Sequence, residues 1–385
     1  MTAPPAFALG VEQQEIRAMA AAFGRDRLAP DAIRWDHDKE LPVAVLREAA
    51  ALGLAGICVA EDSGGSGLSR LDAALIFEAL GAGCPTVAAY LSIHNMVAWM
   101  VDRFGDDSQR ARWLPGLISA DTLSAYCLTE PGAGSDAAAL STRARRDGDG
   151  DGYVLNGVKQ FISGAGVADI YVVMARTGEP GPRGISAFVV ERSDAGLSFG
   201  PPEAKMGWNA QPTCQVILDD VHVVEDRRLG EEGAGFRIAM GGLDGGRLNI
   251  AACSLGGAQA ALDKAIAYVG EREAFGGPLS ALQHVRFQIA DMATEIEAAR
   301  TLLWRAAAAL DAQAPDAMAL CAMAKRFATD VSVAIADRAL QLHGGYGYLS
   351  EYGLEKLVRD LRVHQIVEGT NEIMRVIVAR ELLGS

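Results

Sequence analysis

Apolar residues recur every three or four positions over 11–27, and the run stops ahead of Pro30, so a helix is expected there. The same period predicts helices over 42–52, 69–80, 86–104 and 107–117. Between the second and third, the stretch 54–67 closes in Glu61-Asp62-Ser63-Gly64-Gly65-Ser66-Gly67 and reads as a loop. Near residue 123 the period drops to two. Short apolar runs at 153–155 and 158–162 flank Asn156-Gly157, a pair that favours a hairpin turn, and further strands are expected at 170–175, 184–191, 197–200 and 215–218. The helical period returns after Gly233. Leu255, Ala258, Leu262, Ala265, Ile266 and Val269 form one stripe, and Val285, Ile289, Met292, Ile296, Ala299 and Leu303 form another. Ala314-Pro315-Asp316 separates these from a third helix over 316–342, and a last helix follows Gly369. Four such helices suit an up-and-down bundle. The chain thus reads as an α+β protein, mainly α, with a helical part over 1–122, a strand-rich part over 123–228 and a helical part over 229–385.

Composition narrows the function classes. A chain of 385 residues, half of them apolar, can bury a large core. Its net charge of −14 leaves no basic surplus to neutralise phosphates, which argues against nucleic acid as a partner. The six cysteines are scattered without a CxxC pair and read as buried thiols, and the six histidines form no HxxxH or HExxH pattern, so no metal site is expected. Asp147-Gly148-Asp149-Gly150-Asp151-Gly152 has the look of a calcium loop but lacks its downstream bidentate Glu, and reads as a solvated turn. No apolar run is long enough to span a membrane, and MTAPPAFALG carries no basic region followed by an apolar stretch, so a cytoplasmic location is expected.

Candidate chemistry concentrates in His364-Gln365-Ile366-Val367-Glu368-Gly369-Thr370-Asn371-Glu372-Ile373-Met374-Arg375. A carboxylate beside apolar residues is easily desolvated, which raises its pKa towards the range of a useful base. The alternative is an acid placed near a helix N-terminus, where negative charge is favoured anyway. Other stretches carry similar double readings. Tyr126-Cys127-Leu128-Thr129-Glu130-Pro131-Gly132-Ala133-Gly134-Ser135-Asp136 is an ordinary turn or a loop that lets backbone approach a ligand. Phe161-Ile162-Ser163 is core packing or the flank of a flat cofactor. Asp244 and Arg247 form a local ion pair or hold a polar ligand arm. Arg272, within Glu271-Arg272-Glu273-Ala274-Phe275-Gly276, pairs locally or holds a phosphate, and Gln341-Leu342-His343-Gly344-Gly345 is a helix stop or a cofactor loop.

Taken in order and at their spacing, YCLTEPGAGSD, FIS, DGGR, EREAFG, QLHGGYGY and VEGTNEIMR resemble the acyl-CoA dehydrogenase family over almost the whole chain. The resemblance implies a helical N-terminal domain, a central β-domain and a C-terminal four-helix bundle. It also implies FAD as cofactor, an acyl-CoA thioester as substrate, electron-transfer flavoprotein as electron acceptor and a homotetramer. Carried over residue by residue, Glu368 is the catalytic base that takes the α-proton while the β-hydride passes to flavin N5. Tyr126, Leu128, Thr129, Gly134, Ser135, Phe161, Ile162 and Ser163 line the flavin. Arg272, Phe275 and Gln283 reach the FAD of a neighbouring subunit, and Gln341, Gly344, Gly345, Thr370, Asn371 and Glu372 hold its pyrophosphate and adenosine end. Ser135, Asp244, Arg247, Glu368 and Gly369 contact the substrate. Within the family, KMGWNAQPT, GLDGGRLNIAACSLG and VRDLRVHQIVEGTNEIMR resemble the branch acting on isobutyryl-CoA in valine breakdown, with one departure: Asp244 stands where that branch carries Asn.

Overall fold

The structure, a computed structural model, describes residues 8–148 and 150–384; the first seven residues of the N-terminal stretch, Asp149 of the Asp-Gly turn and Ser385 lie outside them. The helical N-terminal part contains α1 (Val11–Phe23), α2 (Ala32–Asp38), α3 (Val43–Ala51), α4 (Arg70–Gly83), α5 (Pro85–Phe104) and α6 (Asp107–Ile118). The helix expected over 11–27 ends early. Gly24–Leu28 widens into a π turn that leads through Ala29–Asp31 into α2, which the sequence pattern did not reveal. Close packing explains the change at Gly24, where a Cβ would lie 2.8 Å from the carbonyl oxygen of Ala79 in α4. Ser69 starts α4 with a reciprocal cap: its hydroxyl accepts the Asp72 N–H at 3.1 Å while the Asp72 carboxylate accepts the Ser69 N–H at 3.1 Å.

The middle of the chain forms one sheet from β1 (Ser124–Cys127), β2 (Arg143–Arg146), β3 (Gly152–Ser163), β4 (Ile170–Arg176), β5 (Ile185–Glu191), β6 (Leu197–Phe199), β7 (Thr213–Val224) and β8 (Arg228–Leu229). Its order is β6-β7-β3-β2-β4-β5-β8, with β1 parallel to β4. The hairpin expected at Asn156-Gly157 is absent. The pair lies inside β3, which runs on against β7 with a register shift between Leu155 and Gly157. Instead of turning, Asn156 exchanges two hydrogen bonds with Asp220, at 2.9 and 3.0 Å, across the β3–β7 pair. Gly157 sits at φ 153° against Thr142, whose Oγ1 lies 2.5 Å from where a Cβ would be, so the pair makes a bulge.

The C-terminal part holds α7 (Gly235–Glu271), the short β9 (Glu273–Ala274) and β10 (Gly277–Pro278), α8 (Gln283–Asp311), α9 (Ala317–His343), α10 (Leu354–Arg362) and α11 (Asn371–Leu383). Helices α7, α8 and α9 pack on one another, α11 lies on α9, and α4 and α5 pack on α7 from the N-terminal side. Small residues set that last distance: a Cβ on Gly256 would lie 2.1 Å from the Glu78 carbonyl oxygen of α4. Helix α10 was not expected. Leu354, Leu357 and Leu361 do have helical spacing and are buried, but Lys356 and Asp360 are buried with them. Those two ions pair with each other, and the Asp360 carboxylate also accepts Thr86 Oγ1–H and the Trp208 N–H, both at 2.7 Å. An inward-facing ion pair hides the apolar stripe from a simple reading of polarity.

Candidate active site

The chain leaves α10, passes through a 3-10 turn at Val363–Gln365 and enters α11 at Thr370, whose Oγ1 accepts the Ile373 N–H at 3.4 Å. Between them, Glu368 has φ 55° and Gly369 φ 94°. Two successive residues in the left-handed region reverse the chain. Glycine accepts this readily, whereas glutamate is strained by it and is held there by its surroundings. The reversal presses the Glu368 carboxylate against α7. A Cβ on Gly246 would lie 2.3 Å from Glu368 Oε2, so any side chain there would displace the carboxylate. Both carboxylate oxygens are buried and, among the described residues, neither has a hydrogen-bond partner. Burial pushes the carboxyl up to about 7, opposed by the charges of Lys325 and Arg247.

Two helices hold this turn. From α7, Arg247 Nε donates to the Glu368 carbonyl at 3.3 Å while its Nη1 donates to Asp244 at 2.7 Å. From α9, Lys325 Nζ donates to the Gly369 carbonyl at 2.8 Å. Behind the turn, His364 is fully buried. Its Nε2 accepts Trp208 Nε1–H at 3.1 Å, which leaves Nδ1 to donate to Ser254 Oγ at 2.6 Å, and Ser254 donates on to the Ile250 carbonyl at 2.7 Å. Burial lowers His364 to about 4, so the imidazole is neutral at physiological pH. The Tyr126 hydroxyl of β1, also buried without a partner among the described residues, is raised by burial and then by the Glu368 charge.

On the sheet side the expected flavin residues gather around the ends of β1 and β3. The Thr129 carbonyl accepts the Gln160 N–H at 2.8 Å. Gly134 and Ser135 are exposed, and a Cβ on Gly132 or Gly134 would meet nothing within 4 Å, so the loop offers an open edge. Leu128 and Ile162 are buried, Ser163 is half-buried, and Phe161 has φ 58° and a 64% exposed ring, held out beside the loop by a shift in register. The loop is braced from below. Glu130 accepts Lys159 Nζ at 2.8 Å, the Ser141 N–H at 2.6 Å and the Thr142 N–H at 2.9 Å. The Lys159 ammonium also donates to the Leu128 carbonyl at 3.2 Å. Burial alone would raise Glu130; Lys159 and the hydrogen bonds override it and hold the carboxyl near 2. Glu130→Ala strands a fully buried ammonium, and a loss of about 3–5 kcal/mol is expected in chemical denaturation. A depressed carboxyl contributes its stability above its ordinary range and loses it as pH falls towards 2, so the difference from wild type should narrow in acid.

A second group lies apart from Glu368. Arg272, Gln341, Gly344 and Gly345 line a cavity of about 510 Å³ together with Tyr268 and Tyr346. A Cβ on Gly344 or Gly345 would meet nothing within 4 Å. Phe275, 93% exposed at the tip of the β9–β10 turn, and the exposed Gln283 at the start of α8 belong to the same connection. Thr370 is half-buried and Glu372 exposed. Asn371 faces inward: its Oδ1 accepts Lys325 Nζ at 3.0 Å and its Nδ2 donates to Thr329 Oγ1 at 2.9 Å and Asp330 Oδ1 at 2.7 Å. These bonds tie α11 to α9 and occupy the amide. Lys325 is the site residue that the sequence reading missed, and its one signal is a lysine set among the alanines of ALCAMAKRFA.

The chain matches family models described as the N-terminal, middle and C-terminal domains of acyl-CoA dehydrogenase over residues 11–121, 125–221 and 233–383. It is 53% identical over 379 residues to the mitochondrial isobutyryl-CoA dehydrogenase of Bos taurus, covering 98% of this chain and 91% of that protein. The structure of butyryl-CoA dehydrogenase from Megasphaera elsdenii superposes with a TM-score of 0.94 at 39% identity, covering 98% of this chain and all of that one. The FAD complex of PigA superposes with a TM-score of 0.94 at 32% identity, covering 98% and 99%. Fold and full-length sequence likeness agree: the chain belongs to the acyl-CoA dehydrogenase family of flavoproteins and is an oxidoreductase acting on an acyl-CoA.

Proposed function

We propose that this enzyme dehydrogenates isobutyryl-CoA to methacrylyl-CoA, a step of valine breakdown, with FAD as its flavin and Glu368 as the base. The observation that carries the reading is the buried, unpartnered Glu368 carboxylate, poised near 7 on a left-handed turn. A buried unpaired carboxylate is costly in the free protein and is explained if a ligand completes its surroundings. The likeness to the bovine enzyme supports the choice of acyl group.

The residues present fit a flat cofactor and a thioester. The partnerless Tyr126 hydroxyl, the open glycines of the 132–134 loop and the exposed Phe161 ring offer a donor, close backbone approach and a stacking face. In this reading Tyr126, Leu128, Thr129, Gly134, Ser135, Phe161, Ile162 and Ser163 hold the isoalloxazine end. Arg272, Phe275 and Gln283 engage a neighbouring copy's cofactor, with Gln341, Gly344, Gly345, Thr370 and Glu372 at its phosphate and adenosine end, so the site needs a second copy, and a homotetramer is the proposed assembly. Asn371 serves that surface through its bonds to α9. FAD, when bound, supplies the acceptor for the hydride that leaves Cβ.

The protein's own work is to position and to move a proton. Asp244, Arg247 and Ser135 hold the CoA arm, and the N–H of Glu368 is the donor assigned to the thioester carbonyl, where negative charge grows as the α-proton departs. Glu368, ionised above about pH 7, takes that proton. The neutral acid it becomes is the form that burial favours, so the proton stays put until the product leaves. Electron-transfer flavoprotein is the assigned acceptor of the electrons.

Anaerobic mixing with isobutyryl-, butyryl- and 2-methylbutyryl-CoA tests the acyl assignment. Isobutyryl-CoA should bleach the flavin with kcat/KM at least roughly tenfold above its unbranched isomer butyryl-CoA, since one carbon moved out of its place in a fitted pocket is worth about 10–200-fold. Faster bleaching by butyryl- or 2-methylbutyryl-CoA would make this a general short-chain or 2-methylbutyryl enzyme. A colourless protein would point to a non-catalytic acyl-CoA binder.

A further inference from the structure

Lysine is almost never fully buried unless it is paired. Lys325 is 0% exposed, in the middle of α9, and among the described residues no carboxylate lies within ion-pair distance of it. Its Nζ is bound instead to two neutral oxygens, the Gly369 carbonyl at 2.8 Å and Asn371 Oδ1 at 3.0 Å. One turn further along α9, Asp330 Oδ1 accepts Asn371 Nδ2 at 2.7 Å and Gln365 Nε2 at 2.7 Å. Helix α9 therefore grips the connection on both sides of Glu368, and among the described residues the Glu368 carboxylate, buried in that stretch, has no hydrogen-bond partner.

An unpaired buried cation thus lies behind an unpaired buried anion. We propose that Lys325 is a positioning residue for the base: its ammonium fixes the Glu368–Gly369 turn through the Gly369 carbonyl and supplies the positive charge that offsets burial of the Glu368 carboxylate. The inference rests on the reading of Glu368 as the base. Other charged or titratable groups face this place. Arg247 and Asp244 come from α7 and pair at 2.7 Å, and the Arg247 charge opposes the rise of Glu368 after that of Lys325; Arg70 of α4 lies against Gly245 and acts on Asp244. Asp330 lies on α9, Glu372 on α11, the thiol of Cys253 on α7 and the Tyr126 phenol on β1. Of these cations Lys325 is the one whose charge weighs most on Glu368 and whose ammonium binds the Gly369 carbonyl. Burial lowers it to about 8, with the Glu368 charge foremost in pushing it back, and its own charge heads the two that oppose the rise of Glu368. The reciprocal coupling supports what the contacts indicate.

The test separates hydrogen bonding from charge. Lys325→Gln keeps a donor for the Gly369 carbonyl and removes the charge. The acidic limb of its kcat/KM–pH profile should move up by ~1 unit, with about a tenfold loss at pH 6 and little change on the alkaline plateau. Infrared difference titration of the Glu368 carboxyl, identified by its loss in Glu368→Gln, should move by the same amount in protein without substrate. A limb and a titration that stay at the wild-type pH overturn the proposal, because a purely structural lysine would lower the plateau and leave the limb in place. Should Lys325→Gln not fold, Lys325→Arg keeps the charge and must keep the wild-type limb; an upward shift there overturns it equally. If Glu368→Gln itself retains turnover, the base assignment fails, and that result is distinct from an unmoved limb in Lys325→Gln.

Discussion

Glu368→Gln should purify yellow, folded and able to bind acyl-CoA, with turnover reduced by roughly 10²–10⁴-fold, the range a general base contributes. The substitution is nearly isosteric. It also relieves the protein of a buried, unpartnered carboxylate, so thermal stability should hold or rise. Loss of activity together with preserved or improved stability marks a group retained for chemistry at the expense of folding. Wild-type kcat/KM should fall as pH drops through about 7, because burial holds the carboxyl there and only the ionised form accepts a proton. The glutamine variant has no such group, and its residual rate should lack that limb. A rate within a few-fold of wild type, measured with isobutyryl-CoA under saturation, would remove Glu368 from the mechanism.

Gly246→Val addresses the same carboxylate from the other side. Gly246 lies inside α7 in ordinary helical backbone, so the valine meets no conformational barrier. What it meets is Glu368: a Cβ there would lie 2.3 Å from Oε2, with Cδ at 2.8 Å. Lys325 and Arg247 hold the Gly369 and Glu368 carbonyls, so the backbone stays in place and the carboxylate must swing away from α7. Displacing a reacting group by about 1 Å costs on the order of 10²-fold in rate. A loss of that size is expected in kcat, with flavin content retained. Normal turnover would mean that the carboxylate does not rest against α7.

The stripes of α8, α9 and the second half of α7 are legible because apolar residues at one period are buried there, with Ile266 the exception at 47% exposed, whereas the first half of α7 is buried nearly all round. Where burial is decided by polar pairs, the pattern fails. Lys356 and Asp360 concealed α10, and Lys325 passed as an ordinary helix lysine because its partners, Gly369 and Asn371, come from another helix start. Asn156-Gly157 has hairpin chemistry, yet β7 pairs along the whole of β3 and turns that chemistry into a bulge. Motif order brought Glu368, Asp244, Arg247, Tyr126 and the 132–135 loop into view. It could not show the left-handed backbone at Glu368 or the inward amide of Asn371, both of which depend on contacts made across the bundle.

The base assignment is tested most directly by single-turnover bleaching with isobutyryl-CoA deuterated at the α-carbon, followed across pH for wild type and Glu368→Gln. α-Deuteration should slow wild-type bleaching, the rate should rise through about pH 7, and Glu368→Gln should bleach roughly 10²–10⁴-fold more slowly without that limb. Fast bleaching in the glutamine variant, with the isotope effect and pH limb intact, would contradict the base assignment.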